Sequence, residues 1–169
     1  MTTLNYSTAH ETNFRLIFPF LPFLCVGSEI EKGEQFLLYC KAVNIPSVSL
    51  EVTNVDNQWT RTKKPSKELT FTEVTATFAV DELFTNYKFL LDWIYYLKNP
   101  ESFGHNHQSA SVNASLHILS NNKNPKVDIV LNNIFPINIS EVPFTVNSTE
   151  SRDLDATVTF SIDYFTIGE

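Results

Sequence analysis

The histidines and cysteines of this 169-residue sequence are the side chains with the widest chemistry, and there are few of them. His105 and His107 form a His-x-His pair, but no cysteine or carboxylate stands at ligand spacing nearby to complete a metal site. Cys25 and Cys40 are the only cysteines, too few for a disulfide scaffold, and both are expected to be reduced, mostly buried thiols. The sequence therefore predicts neither a bound metal nor a disulfide framework.

Motifs for catalysis and for cofactor binding are missing as well. The sequence has no Gly-x-Ser-x-Gly, Walker, Cys-x-x-Cys or His-Glu-x-x-His motif, and its 4 glycines leave little room for a phosphate-binding loop. Single carboxylates such as Glu73 and Glu141 have no partner group with which to share acid–base work. We predict a protein that is not an enzyme and that takes no cofactor.

Composition indicates a folded chain with an acidic surface. The apolar fraction is 43%, and aromatic residues make up 13% of the chain. The 14 phenylalanines are many for one domain, so we expect some of them to contact partner molecules in addition to those that fill the hydrophobic core. The formal net charge is -7, opposite in sign to a surface that grips DNA. Tight nucleic-acid binding is therefore disfavoured, whereas passive passage of DNA is not.

One apolar run near the N-terminus, residues 16–26, raises the question of a membrane segment. Pro19 and Pro22 break the run, no basic region precedes it, and it is too short to span a bilayer. We therefore expect no signal peptide and no membrane anchor.

Alternation of apolar and polar residues predicts that most of the chain is β-strand. It is clearest at the C-terminus, where one side of the strand is apolar and the other carries Asp155, Thr157, Thr159, Ser161 and Asp163. This polar set is predicted to face solvent, either outside the molecule or in a lumen. The predicted strands cover residues 13–18, 36–43, 74–80, 112–119, 127–133 and 155–164. Six strands in a chain of this length favour a barrel or a sandwich.

Helical spacing replaces alternation only over residues 82–98, with Asp81 as the predicted N-cap and Asn99-Pro100 as the stop. One apolar stripe includes Leu90 and Leu97, and a second stripe of Phe89, Trp93 and Tyr96 projects from roughly the opposite side. A helix that is apolar on two faces is normally covered on both. We interpret the second stripe as an interface with another subunit; the alternative is a cover by the loop that holds His105 and His107.

A long polar segment, residues 45–67, interrupts the strands and is predicted to be an extended hairpin arm. Loops of this length within compact domains tend to be functional. Trp59 and the basic residues Arg61, Lys63 and Lys64 lie in its second half. A basic run is usually a solvated face; our hypothesis is that these residues form an interface, with the basic run meeting the acidic patch of another copy.

Four segments, taken together and in this order, resemble the tube protein of contractile phage tails. They are FLLYCKAVNIPSVSLEV at 36–52, LTFTEVTATFAVDELFTNYKFLLDW at 69–93, VDIVLNNIFPINISEV at 127–142 and DATVTFSIDYF at 155–165. The residues at 19–32 and 101–111 match nothing in that pattern.

The resemblance implies a mainly β fold, a six-stranded antiparallel barrel or sandwich with one flanking helix, built as a single domain over residues 1–169. It also implies homohexameric rings that stack into a tube, with the arm touching the neighbouring ring and with tail sheath and baseplate proteins as partners. The implied role is a conduit through which DNA passes without specific binding. Such a protein is assembled in the host cytoplasm and resides in the virion.

Three other functions remain open from the sequence. The nearer alternatives share the fold: a baseplate ring that initiates the tube, or an Hcp-like ring of a secretion or toxin-delivery system. The more distant alternative is a monomeric β-sandwich that binds a ligand such as a sugar, which predicts exposed aromatics on one sheet face.

Overall fold

A computed structural model describes residues 13–18, 36–37, 40–56, 59–98, 111–144 and 153–168. Within these ranges the chain forms ten strands and one helix. In chain order they are β1 (Phe14–Phe18), β2 (Phe36–Leu37), β3 (Cys40–Val43), β4 (Val48–Asp56), β5 (Arg61–Phe71), β6 (Val74–Ala79), α1 (Thr85–Lys98), β7 (Val112–Leu119), β8 (Pro125–Ile139), β9 (Asp155–Ser161) and β10 (Tyr164–Gly168). Cys25, His105 and His107 lie outside the described residues, as does most of the two segments that match no family pattern.

Eight of the strands form one sheet, in the order β2-β1-β7-β8-β9-β6-β3, with β10 also paired to β8. Every pairing is antiparallel. The six strands predicted from alternation account for seven of these eight strands, because the segment at 36–43 supplies both β2 and β3. Only the first residue of β10, Tyr164, lies within the predicted C-terminal strand. The predicted fold class, mainly antiparallel β with one helix, is confirmed.

The two ends of this sheet are close to each other along the chain. β2 pairs with β1 at one end, and β3 pairs with β6 at the other. Only two residues separate Leu37 from Cys40, so the two end strands lie within about 11 Å of each other. The sheet must therefore curl round like an opened barrel, although β2 and β3 are not hydrogen-bonded to each other among the described strands.

The core fills the concave side of this curled sheet. On β6 and β9 every second residue is fully or almost fully buried, as the alternation predicts. Phe18 and Phe160 pack here with their ring centroids 5.4 Å apart. The largest enclosed side chains are Trp93, Tyr96, Phe18, Phe78 and Phe160.

Helix α1 packs on this core with the face that the sequence assigned to a partner subunit. Phe89, Trp93 and Tyr96 are all buried within the chain, and the Trp93 ring meets Phe18 edge-on at a centroid distance of 5.9 Å. The prediction that these three aromatics point away from the core is wrong. Leu90 of the other stripe is fully buried as well, so the sheet covers a wide face of the helix that includes the three aromatics and Leu90.

The start of α1 also differs from the prediction. Asp81 does not cap the helix; its carbonyl oxygen accepts a hydrogen bond from the Phe84 amide at 3.0 Å, which closes a turn, and the helix begins at Thr85. Asn86 then anchors the first turn, because its buried side chain donates to the Ala79 carbonyl at 2.7 Å. Phe84 at this junction has a φ of 55°, in the left-handed region that costs a side-chain-bearing residue roughly 1 to 2 kcal/mol.

The C-terminal strand is interrupted where the sequence predicts continuity. Ile162 and Asp163 separate β9 from β10, opposite Asn133, whose φ is 58°. The Asn133 side chain donates to the Asp163 carboxylate at 2.6 Å and fixes this kink. β9 therefore pairs with the last part of β8 and β10 with an earlier part.

Candidate assembly surfaces

The β4–β5 hairpin, called the arm below, stands apart from the main sheet. Its strands pair with each other from Val48↔Phe71 at the root to Asp56↔Arg61 near the tip, and with no other described strand. At about 3.4 Å per residue, nine residues of β4 make it about 30 Å long. The extended hairpin predicted at 45–67 is present and continues to Phe71.

One face of the arm is apolar along its root half. Residues directly opposite each other in an antiparallel ladder share a face, so the pairs Val48↔Phe71, Leu50↔Leu69 and Val52↔Pro65 form one continuous stripe. About half of each of four side chains in the stripe is exposed: Val48 49%, Leu50 46%, Val52 55% and Leu69 56%. From the sequence alone, only a weak alternation on β4 indicates this stripe. The residues of β5 that complete it are known only from the structure, which shows how the two strands pair.

The other face of the arm is polar and holds the hairpin together. Ser49 and Thr70 hydroxyls hydrogen-bond across the strands at 2.6 Å, and at the root the Ser47 amide donates to the Thr72 hydroxyl at 2.8 Å. Thr53 pairs with Lys64 on the same side. The arm therefore has one polar face, and its other face is apolar along the root half.

The distal half of the arm is cationic and ends at an exposed aromatic residue. Trp59 is 89% exposed. Arg61 donates from Nε to its own cross-strand neighbour Asp56 at 2.8 Å. Lys63 and Lys64 are exposed and form no ion pair with a carboxylate in the described ranges. The structure therefore gathers these four predicted interface residues on one projecting element.

The polar side of β9 lies on the outer surface of the sheet. Asp155 and Asp163 are exposed, and the three residues between them that share this side, Thr157, Thr159 and Ser161, are partly exposed. Thr77 on β6 extends the hydroxyl surface, with its Oγ1 3.3 Å from that of Thr157. That this face lines a lumen stays a prediction.

Lys41 provides the one described cation beside the start of β9. Its Nζ lies 2.7 Å from Asp155 and 3.5 Å from Asp153. The hydrogen bond to Asp155 raises the pKa of Lys41, so this pairing is retained at neutral pH. The neighbouring Cys40 is a free thiol, and burial raises its pKa to about 12.

The described residues hold no group of three or more histidine, cysteine, aspartate or glutamate side chains that could bind a metal ion. No helix in the part of the chain that the structure describes combines the length and the apolar character needed to cross a membrane.

Comparison with protein families settles the class of this fold. The sequence model for phage tail tube proteins matches residues 9–167. The chain belongs to the phage tail tube protein family. This family consists of structural tube components, so the projecting arm and the outer sheet face are the surfaces of a tail tube protein to consider for assembly. No curated protein matches the sequence.

Solved structures with the same fold come from contractile injection particles. A chain of the PVC sheath/tube terminator in the extended state superposes with a TM-score of 0.69 at 14% identity, covering 98% of this chain and 99% of that chain. A chain of the anti-feeding prophage baseplate, six-fold symmetrised, gives 0.66 at 13% identity over 95% of both chains. The PVC sheath–tube complex gives 0.65 at 13% identity over 98% of this tail tube protein and 93% of that chain. Similarity at this level of identity shows a shared fold.

Proposed function

We propose that this tail tube protein forms six-membered rings that stack into the inner tube of a contractile tail or injection particle. The apolar face of the arm is the observation that carries the proposal. A lone two-stranded hairpin is at best marginally stable in water, and this one exposes a continuous apolar stripe. Burying that stripe against another copy stabilises the arm and the assembly together.

We infer the number of copies and the partner proteins from the particles that contain chains of the same fold. One similar chain comes from a baseplate determined with six-fold symmetry, and another from a sheath–tube complex. By analogy we assign this protein a homohexameric ring, a surrounding sheath and a baseplate on which the tube rests. The proposed location of the protein is this particle, in the first instance a phage tail.

The proposed conduit carries DNA without binding it. The hydroxyl-rich outer face of β6 and β9 has few charges, and the chain as a whole is acidic at -7. Walls of this kind neither attract phosphates nor release counterions on contact. DNA then moves through the lumen without being held.

A ring at one end of the tube is the second candidate. The chains from a tube terminator and from a baseplate superpose as well as the chain from the sheath–tube complex, with TM-scores of 0.69 and 0.66 against 0.65. An end ring contacts a copy of itself on one side at most. It therefore predicts single or paired rings in place of long stacks.

Multi-angle light scattering and native mass spectrometry over a wide concentration range test the proposal. We expect masses at six times the chain mass and at multiples of that value, which report rings and stacked rings. A monomer at every concentration, with no stack formed on a preassembled baseplate, would refute it.

A further inference from the structure

The ladder that joins β6 to β9 divides at its Val74↔Phe160 end. Two residues separate β6 from β5 on one side of the division, and two residues separate β9 from β10 on the other. Beyond it β10 stays on β8, whereas β5 turns away with β4 as the arm. β5 and β10 form no ladder with each other among the described strands. The arm therefore leaves the body at a corner of the sheet, beside β10.

The kink between β9 and β10 exchanges the two faces of the C-terminal chain. On β9 the even-numbered residues Val158 and Phe160 are buried, and continued alternation would place Tyr164 inward. Instead Tyr164 is 49% exposed, and Phe165 stands opposite Leu131, which is almost fully buried. Residues directly opposite each other in an antiparallel ladder share a face, so the kink turns Phe165 toward the core.

Phe165 meets the root of the arm on this inner face. Its ring lies edge-on to the ring of Phe71, with the centroids 5.7 Å apart, and both side chains are partly buried against the core. Phe71 is the first member of the apolar stripe, opposite Val48. The stripe is therefore continuous with the core through an aromatic contact between β5 and β10.

The hydrogen bonds at the root join the two strands of the arm to each other. The Ser47 amide donates to the Thr72 hydroxyl at 2.8 Å, and the Thr72 amide donates to the Ser47 carbonyl at 3.1 Å. These bonds turn with the arm, so they do not fix its direction relative to the sheet. The contact of Phe71 with Phe165 joins the arm to a strand that is held on β8.

We propose that Phe165 is a positioning residue for the arm. Its ring sets the direction in which the arm leaves the body, and with it the direction in which the apolar stripe faces. The contact lies within one chain and is present before any assembly. Its effect on assembly rests on the proposed function, because only an arm in the right direction can bury its stripe against another copy.

Distance measurements on the monomer test this positioning. Spin labels attached through non-natural amino acids at Thr62 on the arm and at Lys126 on β8, both exposed, report the direction of the arm. Phe165→Ala should widen the distance distribution to about twice its width or shift its maximum, because a ring contact of this kind biases a population about two- to tenfold. Tyr164→Ala, which removes an aromatic ring from the other face of β10, is the matched control and should keep the wild-type distribution.

The partner residue provides a second test of the same contact. Phe71→Ala should have the effect of Phe165→Ala, and the double variant should add little to either, because each ring acts through the other. Circular dichroism shows which variants are folded. Phe165→Leu, which keeps most of the apolar volume without the ring, takes the place of Phe165→Ala if the latter does not fold. A wild-type distribution in the folded variant, or fully additive effects in the double variant, would overturn the positioning.

Assembly of the same variants separates this inference from the proposed function. Phe165→Ala should raise the concentration needed for ring formation at least about threefold, because fewer arms have the competent direction. Normal assembly by a variant with a widened distribution would overturn the effect on assembly. Wild-type protein that forms no rings would refute the proposed function, while the distances in the monomer would still decide whether Phe165 positions the arm.

Discussion

Val52 and Val55 lie three residues apart on β4 and point to opposite faces of the arm. Val52 stands opposite Pro65 in the apolar stripe, whereas Val55 stands opposite Thr62 on the face that carries the hydroxyl pairs. A valine side chain is thus present on each of the two faces of the arm. The apolar face has about half of its side-chain surface exposed, and assembly is the process that would cover it.

Substitution of each valine by threonine separates the two faces. Val52→Thr should weaken ring assembly by about 1 kcal/mol for each arm contact, repeated in every copy of a ring, because it places a hydroxyl in the buried stripe. Val55→Thr is the matched control and should leave assembly unchanged. Sedimentation velocity measures both, and equal effects of the two changes would contradict the assignment of the faces.

Trp93 provides the converse test, since the structure places it in the core of the chain. Trp93→Ala should lower the free energy of unfolding by about 3 to 5 kcal/mol. Tyr95→Ala, on the exposed side of the same helix, should change it by no more than about 0.5 kcal/mol. Urea denaturation at a concentration where the protein is monomeric measures both. A Trp93→Ala variant that unfolds like the wild type but fails to assemble would return this residue to an interface.

The strands were predictable from sequence because alternation reports burial of one sheet face directly. Val74, Ala76 and Phe78 alternate with polar neighbours, and all three are buried. The bounds of the helix were nearly correct, but its orientation was not, because Phe89 and Trp93 were assigned to an outer face whereas they and Leu90 of the other stripe are all buried. Spacing along the helix does not show how wide a face the curled sheet covers. The apolar stripe of the arm combines residues of β4 and β5, a juxtaposition that spacing along the sequence does not reveal.

Cys40 should make stability fall at alkaline pH. In the folded chain the pKa of the thiol is about 12, whereas in the unfolded chain the thiol loses its proton near its ordinary pKa of about 9. The resulting stability is complete below pH 9 and is lost as the pH rises toward 12, by about 1 kcal/mol between pH 8 and pH 10. Cys40→Ala should flatten this part of the profile. Denaturation at both pH values measures the slope, and identical slopes for variant and wild type would contradict a buried thiol at this position.

Assembled protein should show no appreciable affinity for duplex DNA at physiological salt. The chain carries a net charge of -7, and the polar face of β9 presents hydroxyls between Asp155 and Asp163. Fluorescence anisotropy of labelled DNA, titrated at two salt concentrations, measures this. Tight binding that falls steeply with added salt, and that is lost when Lys63 and Lys64 are both replaced by glutamate, would contradict a conduit that does not bind DNA. It would show instead that the arm binds DNA.

Cryo-electron microscopy of the concentrated wild-type protein tests assembly through the arm most directly. The predicted map shows six copies in each ring, with the stripe at Val48, Leu50, Val52 and Leu69 covered by another copy. A map in which the copies associate while every arm projects into solvent, or in which only monomers are present at every concentration, would contradict it.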